Sequence, residues 1–466
     1  MIRGLAIAAA GVVVGVTAAA PASADDLSSG TWYYSALHVQ ESLDAGFTGK
    51  GVKIAVIDSQ INPAIPTLRN ANLTVIDKSY CYDAKGAPLP VISTDEVSAY
   101  HGTGVASMIA GTGEAGPGQV PIRGVAPEAE VLYYNDAQTI DLQGKSQCLD
   151  AAGKDRGAAG LAEAMNDAMD AHVDIISISS GVPYSEDLFR ALARALALGI
   201  PVVGGLTNDP LSTTGAFPAE ANGSVAVQAI DATGAVQKAG GFSNTSMAVK
   251  VAAPGVDIIQ PAPSDSGGPQ RLAHGTSLAT PIVAGFLADM KSKFPTATGN
   301  QLLQTMIRNT GGTHHEPQWG NDLGYGTISL TQMREDNPLA YEDVNPFFDP
   351  KVTSVSEGPT ADDVRAAKGA EALKPTPGSP TTKSQSELPS ASGETAATPA
   401  WVPFAIGGGA LALLLIAGAV VAVVIGARRR RGAGQEQAGA APATGGDHLM
   451  HAPTGAGSGA DQGGRR

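Results

Sequence analysis

The sequence predicts an α/β domain built around a mainly parallel β-sheet, and two recurring patterns support that prediction. Short runs rich in valine and isoleucine lack alternating polar residues, which is typical of strands buried on both faces. Such runs occur at 52–57, 131–134, 173–178, 201–205, 225–230 and 249–252. Leucine and methionine recur at helical spacing in the stretches 157–172 and 185–198, which lie between some of these runs. Strands that alternate with helices in this way indicate a parallel sheet.

The N-terminal end of the 466-residue chain is predicted to be removed before the protein folds into its mature form. Residues 1–24 combine Arg3, an apolar run and the small-residue motif Ala-Ser-Ala at 22–24, which is typical of a cleaved secretory signal peptide. A permanent N-terminal anchor is the alternative. It is disfavoured because the apolar run is shorter than the about 20 residues that span a bilayer.

A second apolar segment, at 401–427, is long enough to cross a membrane and is followed at once by four arginines at 428–431. A buried core helix is the alternative, but such a helix rarely lacks any polar face over this length. Because basic residues stay on the cytoplasmic side, we expect a disordered cytoplasmic tail at 428–466. The predicted location is therefore the cell membrane, as a single-pass protein whose domain lies outside the cell.

One folded domain, at 51–344, remains between these ends. Residues 345–400 contain much proline, serine and threonine and few large apolar side chains, so they are predicted to form an extended, solvated linker. Residues 25–50 are expected to pack on the domain, because Trp32 and Tyr33 can supply the contacts that order a terminus.

Charge and cysteine content narrow the classes of partner and cofactor. The formal net charge of −14 argues against a nucleic-acid partner. Only Cys81 and Cys148 are present, and export places them where a disulfide persists, so one bridge is favoured over two free thiols. Two cysteines are too few for a structural zinc site, and no compact run of carboxylates resembles a calcium loop. We therefore expect no metal or cofactor.

Three polar residues stand where the predicted strands and helices meet. Asp58 directly follows the first strand, His101 opens a run of small residues that leads into a helical stretch, and Ser277 precedes the helical stretch 282–294. Taken singly, they would be a turn or helix cap, a surface histidine and a helix N-cap. Taken together, they supply a nucleophile, its general base and the carboxylate that orients the base.

The segments around these residues resemble the active-site motifs of the subtilisin-like serine proteases. The matching segments are VIDS at 56–59, HGTGVA at 101–106 and GTSLATP at 275–281, and the order Asp, His, Ser is the order known for subtilisin. Landmarks of the same family are resembled by GVAP at 124–127, VAAPG at 251–255 and GYG at 324–326. The resemblance implies a three-layer α/β domain and a serine endopeptidase that acts on polypeptide substrates.

The resemblance also implies roles for residues that the pattern alone would not single out. Asn208 matches the asparagine that donates to the oxyanion, although without the resemblance a turn residue would be favoured. Ser179, Ser180 and Gly181 would line one side of the substrate pocket and pair with an extended peptide. Gly205 would form the facing wall, where its lack of a side chain leaves the pocket open.

Two positions depart from the family pattern. Gln60 stands two residues after Asp58, where the family usually has glycine, and Thr207 stands before Asn208, where it also usually has glycine. Glycine reaches backbone conformations that other residues adopt only at a cost. The backbone conformation at both positions is therefore in question. Residues 25–50 are also too few for the folded propeptide that secreted subtilases commonly carry.

The signal peptide, short extension, C-terminal span and basic stop together resemble the mycosins, membrane-anchored subtilases associated with type VII secretion systems. Mycosins carry more cysteines, so their disulfide arrangement is not transferred to this chain. Two functions stay open at this point. The first is an active endopeptidase that cuts exported proteins, and type VII secretion machinery is its expected partner. The second is a membrane-anchored structural subunit of a secretion complex with slow or dispensable protease activity.

Overall fold

The computed structural model describes residues 27–136, 148–209, 216–265, 268–354 and 357–373. Its strands are β1 Lys53–Asp58, β2 Leu73–Ser79, β3 Glu130–Asn135, β4 Ile175–Ile178, β5 Val202–Gly205, β6 Val225–Ile230, β7 Lys238–Ala239, β8 Phe242–Ser243, β9 Val251–Pro254, β10 Ile258–Gln260 and β11 Arg271–Ala273. Its α-helices are α1 Trp32–Ala36, α2 Val39–Asp44, α3 Tyr100–Ala110, α4 Gly157–Asp170, α5 Glu186–Leu198, α6 Thr276–Lys293, α7 Gly299–Arg308, α8 Leu330–Met333 and α9 Ala361–Ala372. Short 3-10 helices occupy Ser29–Thr31 and Pro338–Ala340.

Seven strands form one sheet in the order β2-β3-β1-β4-β5-β6-β9, and every neighbouring pair is parallel. The predicted α/β class with a mainly parallel sheet is therefore confirmed. The six apolar runs correspond to β1, β3, β4, β5, β6 and β9. The edge strand β2 was not predicted, because its sequence LTVIDKS is partly polar and none of its residues is fully buried.

The sheet separates two apolar cores, so the domain has three layers. Alternate residues of β1 point to opposite faces: Ile54 and Val56 join the core under α3, α6 and α7, whereas Ala55 and Ile57 join the core under α4 and α5. A parallel sheet covered on both faces explains why its strands read as unbroken apolar runs.

Helix α6 runs through the larger core. Every residue from Leu278 to Met290 is buried, including Pro281 within the helix and Asp289 near its end. Both carboxylate oxygens of Asp289 are buried without a hydrogen-bond partner in the described part of the chain. Burial raises the pKa of Asp289 well above its usual range, because the apolar surroundings disfavour the charged carboxylate.

Stability is expected to fall with rising pH because of Asp289. Its raised pKa means that the folded state keeps a proton that the unfolded chain loses above about pH 3.9. The free energy of unfolding should therefore drop by about 1.4 kcal/mol per pH unit from there until the folded pKa is reached. Asp289→Asn should remove this contribution. The measurement is urea denaturation of the variant and of wild type between about pH 4.5 and 7, a range that lies above the ordinary aspartate pKa of about 3.9. Equal pH slopes in wild type, Asp289→Asn and the surface variant Asp322→Asn would contradict the expectation.

The segment before β1 packs on the domain. Tyr33 is fully buried, and its hydroxyl donates to the backbone oxygen of Arg123 at 2.6 Å. The indole N–H of Trp32 donates to the backbone oxygen of Val256 at 3.0 Å. These contacts order residues 27–50 against the face formed by α3, α6 and α7.

The folded domain extends beyond the predicted boundary at 344. Asn345 donates through Nδ2 to the backbone oxygen of Gly223 at 2.9 Å, and Asn222 donates through Nδ2 to that of Pro359 at 3.0 Å. Helix α9 then packs on α5, where Glu371 accepts from Arg194 Nε at 2.7 Å. Placing all of 345–400 in a solvated linker was therefore wrong for 345–373. Polar caps and an ion pair hold this segment. It was not predicted because it lacks the apolar run by which a folded segment is recognised in a sequence.

The remaining predicted segments at the two ends lie outside the described residues. These are the signal peptide at 1–24, the rest of the linker, the apolar segment at 401–427 and the tail at 428–466. Among the helices of the described ranges, none has both the length and the apolar character needed to cross a bilayer.

Cys81 and Cys148 form a disulfide with their Cα atoms 4.7 Å apart. Cys81 lies two residues after β2, and Cys148 lies before α4. Both residues are fully buried. The bridge joins the edge of the sheet to the chain that enters α4.

Candidate active site

Asp58 and His101 meet at the carboxyl end of β1. Asp58 is the last residue of β1 and only 1% exposed, and His101 lies in the first turn of α3. Asp58 Oδ1 accepts from His101 Nδ1 at 2.7 Å and from the Ser59 backbone N–H, also at 2.7 Å. With its proton held on Nδ1, the neutral imidazole keeps Nε2 as a proton acceptor.

The position of α3 against β1 is fixed by a short network of hydrogen bonds. The hydroxyl of Tyr133, on β3, donates to the backbone oxygen of Ser59 at 2.7 Å, and Ser59 Oγ accepts from the Gly102 N–H at 3.1 Å. A Cβ on Gly102 would overlap the Tyr133 hydroxyl, so glycine is required for this close approach. The network therefore places the residue after Asp58 next to the residue after His101.

The electrostatics of His101 suit a general base. Partial burial on its own would lower the pKa of His101, but the negative charge and hydrogen bond of Asp58, with a smaller contribution from Asp136, raise it above the usual value. The side chain is 44% exposed, and Nε2 has no hydrogen-bond partner in the described part of the chain. A proton can therefore reach Nε2 from a reacting group in the cleft.

Asp136 is a residue near this site that the sequence analysis missed. It is fully buried directly after β3, and its backbone N–H donates to the backbone oxygen of Asp58 at 2.9 Å. Its side chain accepts from Ser180 Oγ at 3.1 Å. A polar residue at the end of a strand that neighbours β1 was the available signal, because carboxyl ends of parallel strands share one edge.

Ser277 enters the site from the first turn of α6. Its Oγ donates to the backbone oxygen of Ser179 at 3.1 Å, and Ser179 Oγ donates to the backbone oxygen of Ser277 at 2.9 Å. Within the described residues no hydrogen bond joins Ser277 to His101. Rotation about χ1 moves a serine hydroxyl between staggered positions, and catalytic hydrogen bonds often tighten only when substrate binds.

Asn208 lies beside the start of α6, three residues after β5 ends. Its Oδ1 accepts from the Thr276 backbone N–H at 2.9 Å. Because the oxygen faces that N–H, the amide group directs Nδ2 the opposite way, and Nδ2 has no hydrogen-bond partner among the described residues. The Ser277 N–H, in the first helical turn, also lacks an intrahelical acceptor. Two free donors are thus available at this end of α6.

Both departures from the glycine pattern are accommodated without backbone strain. In the described ranges the only residues other than glycine with positive φ are His38, His172 and Asp257. Gln60 and Thr207 therefore do not need a left-handed conformation. Gln60 instead donates through Nε2 to the backbone oxygen of Pro90 at 2.6 Å.

The four predicted substrate-binding residues have different surroundings. Gly181 is exposed beside Ser180, which is half-buried, while Ser179 is tied to Ser277 as described above. Gly205 is buried, and a Cβ there would lie 3.0 Å from the hydroxyls of Thr276 and Thr280. The missing side chain at Gly205 therefore makes room for these hydroxyls, and its contact with substrate stays a prediction.

Asn208→Ala is expected to lower kcat by roughly 100- to 1,000-fold with a small change in KM, as for the loss of one oxyanion donor. The physical reason is that Nδ2 would act on charge that develops only in the transition state. Steady-state kinetics on one peptide substrate would measure both constants. Asn222→Ala, which alters an asparagine at the α9 end of the domain, is the matched control. A rise in KM with unchanged kcat would instead assign Asn208 to substrate binding.

The acid limb of the pH profile should lie above about pH 6.5, the ordinary pKa of histidine. His101 must be neutral to accept a proton, and its pKa is raised mainly by Asp58 against the opposing effect of burial. Activity should therefore be lost as the pH falls through this raised pKa. The measurement is kcat/KM against pH, which reports groups of the free enzyme. An acid limb below the ordinary histidine value would show that Asp58 does not act on His101 as described.

Comparison with known proteins relates this chain to the subtilases. The model of the subtilase family matches residues 49–326, more than half of the chain. Fervidolysin of Fervidobacterium pennivorans is 28% identical over 325 residues, which cover 66% of this chain and 44% of fervidolysin. Subtilisin E of Bacillus subtilis (strain 168) is 31% identical over 273 residues, which cover 57% of this chain and 61% of subtilisin E. The chain thus spans less than two thirds of these two relatives.

The fold agrees with that of a solved structure. The crystal structure of fervidolysin, a keratinolytic enzyme related to subtilisin, superposes with a TM-score of 0.53 at 24% identity, over 66% of this chain and 46% of that one. The crystal structure of MycP1 with its N-terminal propeptide removed gives a TM-score of 0.48 at 22% identity, over 65% of this chain and 96% of that one. The homologues in the matched family are serine endopeptidases. On the family match and the fold, this chain belongs to the subtilase family.

Proposed function

We propose that this protein is a serine endopeptidase that hydrolyses peptide bonds of exported polypeptides with Ser277 as nucleophile. The observation that carries the proposal is the 2.7 Å hydrogen bond between buried Asp58 and His101, at the strand edge where Ser277 enters from α6. The family match supports the same chemistry.

The proposed reaction gives each of the assembled groups a defined role. Ser277 Oγ attacks the scissile carbonyl carbon while His101 Nε2 takes the hydroxyl proton. Asp58 stabilises the resulting imidazolium, and Asn208 Nδ2 with the Ser277 N–H donates to the oxyanion. His101 then gives its proton to the leaving amine, which leaves an acyl-enzyme. Water, deprotonated by His101, releases the acid and restores Ser277.

The substrate is proposed to bind as an extended strand along Ser180 and Gly181. Extended peptides add to an exposed edge through backbone hydrogen bonds, and side-chain pockets then give specificity. The exposed backbone at Gly181 supports this placement. Ser179 would form the inner end of that wall because it is already joined to Ser277.

We propose further that the protease is held at the outer face of the cell membrane. Support comes from the sequence of the ends: a predicted signal peptide at 1–24, an apolar segment at 401–427 and four arginines directly after it. The combination resembles mycosins, and on that basis we propose association with a type VII secretion system. Residues 374–400 would then tether the domain. Cell fractionation and protease digestion of intact cells would test this location. A domain that stays protected inside intact cells would contradict it.

A fluorophosphonate probe tests the proposed chemistry directly. Labelling of the folded protein should occur at Ser277, because only an activated hydroxyl reacts readily with such a probe. Ser277→Ala should abolish labelling, while Ser35→Ala, which changes a serine on α1, should retain it. Absence of labelling on folded wild-type protein would count against a serine endopeptidase.

A structural subunit with slow protease activity is the second candidate. The observation that favours it is that Ser277 Oγ donates to Ser179 and not to His101. Comparing Ser277→Ala with deletion of the whole chain separates the two functions. If secretion is normal in the point variant and lost in the deletion, the structural role is the main one. If both lose secretion, catalysis is required.

A further inference from the structure

Arg271 carries a positive charge that forms no ion pair within the described residues, and it contacts the residue next to His101. It is exposed on β11, and its Cζ lies 3.3 Å from the centroid of the Tyr100 ring. Tyr100 is the first residue of α3 and directly precedes His101. Strand β11 ends at Ala273, shortly before Ser277. Arg271 is thus linked through neighbouring residues to both the general base and the nucleophile.

The β10-β11 hairpin is fixed against α3 and the loop after β1. Gln260, which pairs with Arg271 across the hairpin, occupies the space where a Cβ on Gly104 would lie. Beyond the hairpin strand, Asn62 donates through Nδ2 to the backbone oxygen of Pro263 at 2.8 Å. Because of these contacts, the position of Arg271 relative to His101 is fixed by the packing of the domain.

Stacking on Tyr100 orients the Arg271 guanidinium without using up its hydrogen-bond donors. A guanidinium has N–H donors around the edge of a plane, and stacking on an aromatic face leaves that edge free. In the described part of the chain, Arg271 forms no ion pair with a carboxylate, and its one described side-chain partner is Tyr100. Glu96, the carboxylate whose charge also acts on Tyr100, is exposed and does not pair with it. A carboxylate from outside the chain can therefore bind this edge.

We infer that Arg271 is a specificity-determining residue that selects substrates with an aspartate or glutamate side chain close to the scissile bond. This inference rests on the proposed function, because it names the substrate class of the same cleft. The acidic chain, with a formal charge of −14, otherwise repels acidic peptides, so a local arginine is needed to accept one. Charge-assisted, bidentate contacts of arginine with carboxylate supply the selectivity.

Binding to the full-length Ser277→Ala protein tests the inference without requiring turnover. The probe is a fluorescent alanine-rich peptide with one central aspartate, compared by anisotropy with the same peptide carrying asparagine. We expect the aspartate peptide to bind roughly ten-fold more tightly, a difference typical of one charge-assisted hydrogen-bonded contact. Added salt should reduce this preference.

Three variants in the Ser277→Ala background decide the origin of the preference. Arg271→Gln should remove it, and Arg271→Glu should reverse it in favour of a lysine peptide, which a merely structural role of Arg271 would not produce. Arg190→Gln, at an exposed arginine on α5, should keep it. Equal binding of aspartate and asparagine peptides to the parent, or an unchanged preference in Arg271→Gln, would overturn the inference. Failure of the proposed function shows separately, as absent fluorophosphonate labelling of the protein with Ser277 intact.

Discussion

Ser277→Ala is expected to reduce kcat by roughly a millionfold, the loss measured when the nucleophile of such a triad is removed. In the proposed mechanism the Ser277 hydroxyl, in the first turn of α6, forms the covalent bond to the substrate. Activity on a quenched-fluorescence peptide would measure the loss. Folding of the variant is checked by its thermal unfolding transition.

The double variant Ser277→Ala/His101→Ala sharpens this test. Residues that act as one catalytic unit lose activity non-additively, so the double variant should be no worse than either single variant. His314→Ala, which changes a histidine on the loop after α7, serves as the control and should keep wild-type activity. Additive losses in the double variant would show that Ser277 and His101 act independently, contrary to the triad.

Asp58→Asn is expected to lower kcat by roughly 10,000-fold with little effect on the fold. The carboxylate oxygen now accepts from His101 Nδ1 at 2.7 Å, whereas a carboxamide can offer an N–H to Nδ1 instead. The imidazole would then carry its proton on Nε2 and could not accept one from Ser277. The acid limb of the pH profile should also move down, because the charge that raises the pKa of His101 is gone.

Asp289→Asn is the matched control for this change. It makes the same substitution at another fully buried aspartate, which lies within α6 and away from the strand edge that carries the site. The control should retain wild-type kcat while altering only the pH dependence of stability. If Asp58→Asn kept wild-type kcat and an unchanged acid limb, the assigned role of Asp58 would be refuted.

The sequence predicted the sheet well because its strands are buried on both faces and its helices are apolar on one stripe. Unbroken runs such as 225–230 leave little choice of structure. Strand β2 was missed because an edge strand with one solvated side carries polar residues. Helix α9 was missed because alanine, caps and the Arg194–Glu371 ion pair hold it, and pairing across distant segments cannot be read from local pattern.

The residues of the candidate site differed in how far the sequence singled them out. Asp58, His101 and Ser277 each stand at an element end, and they were singled out as a set within segments that resemble family motifs. Asp136 escaped notice because a single aspartate after a strand usually caps a turn, and its contact with Ser180 depends on the fold. The hydroxyls of Thr276 and Thr280 beside Gly205 could not be read from the local sequence, because they come from a helix far along the chain.

The burial of α6 from Leu278 to Met290 has a consequence for how the domain unfolds around the proposed nucleophile. Buried core helices typically open only when the whole domain opens, so we expect slow amide exchange in the helix that carries Ser277. Amide protons within Ile282–Phe286 should exchange with deuterium only through complete unfolding. Inactivation by heat and loss of this protection should then follow the same time course, with no earlier melting confined to the reactive hydroxyl.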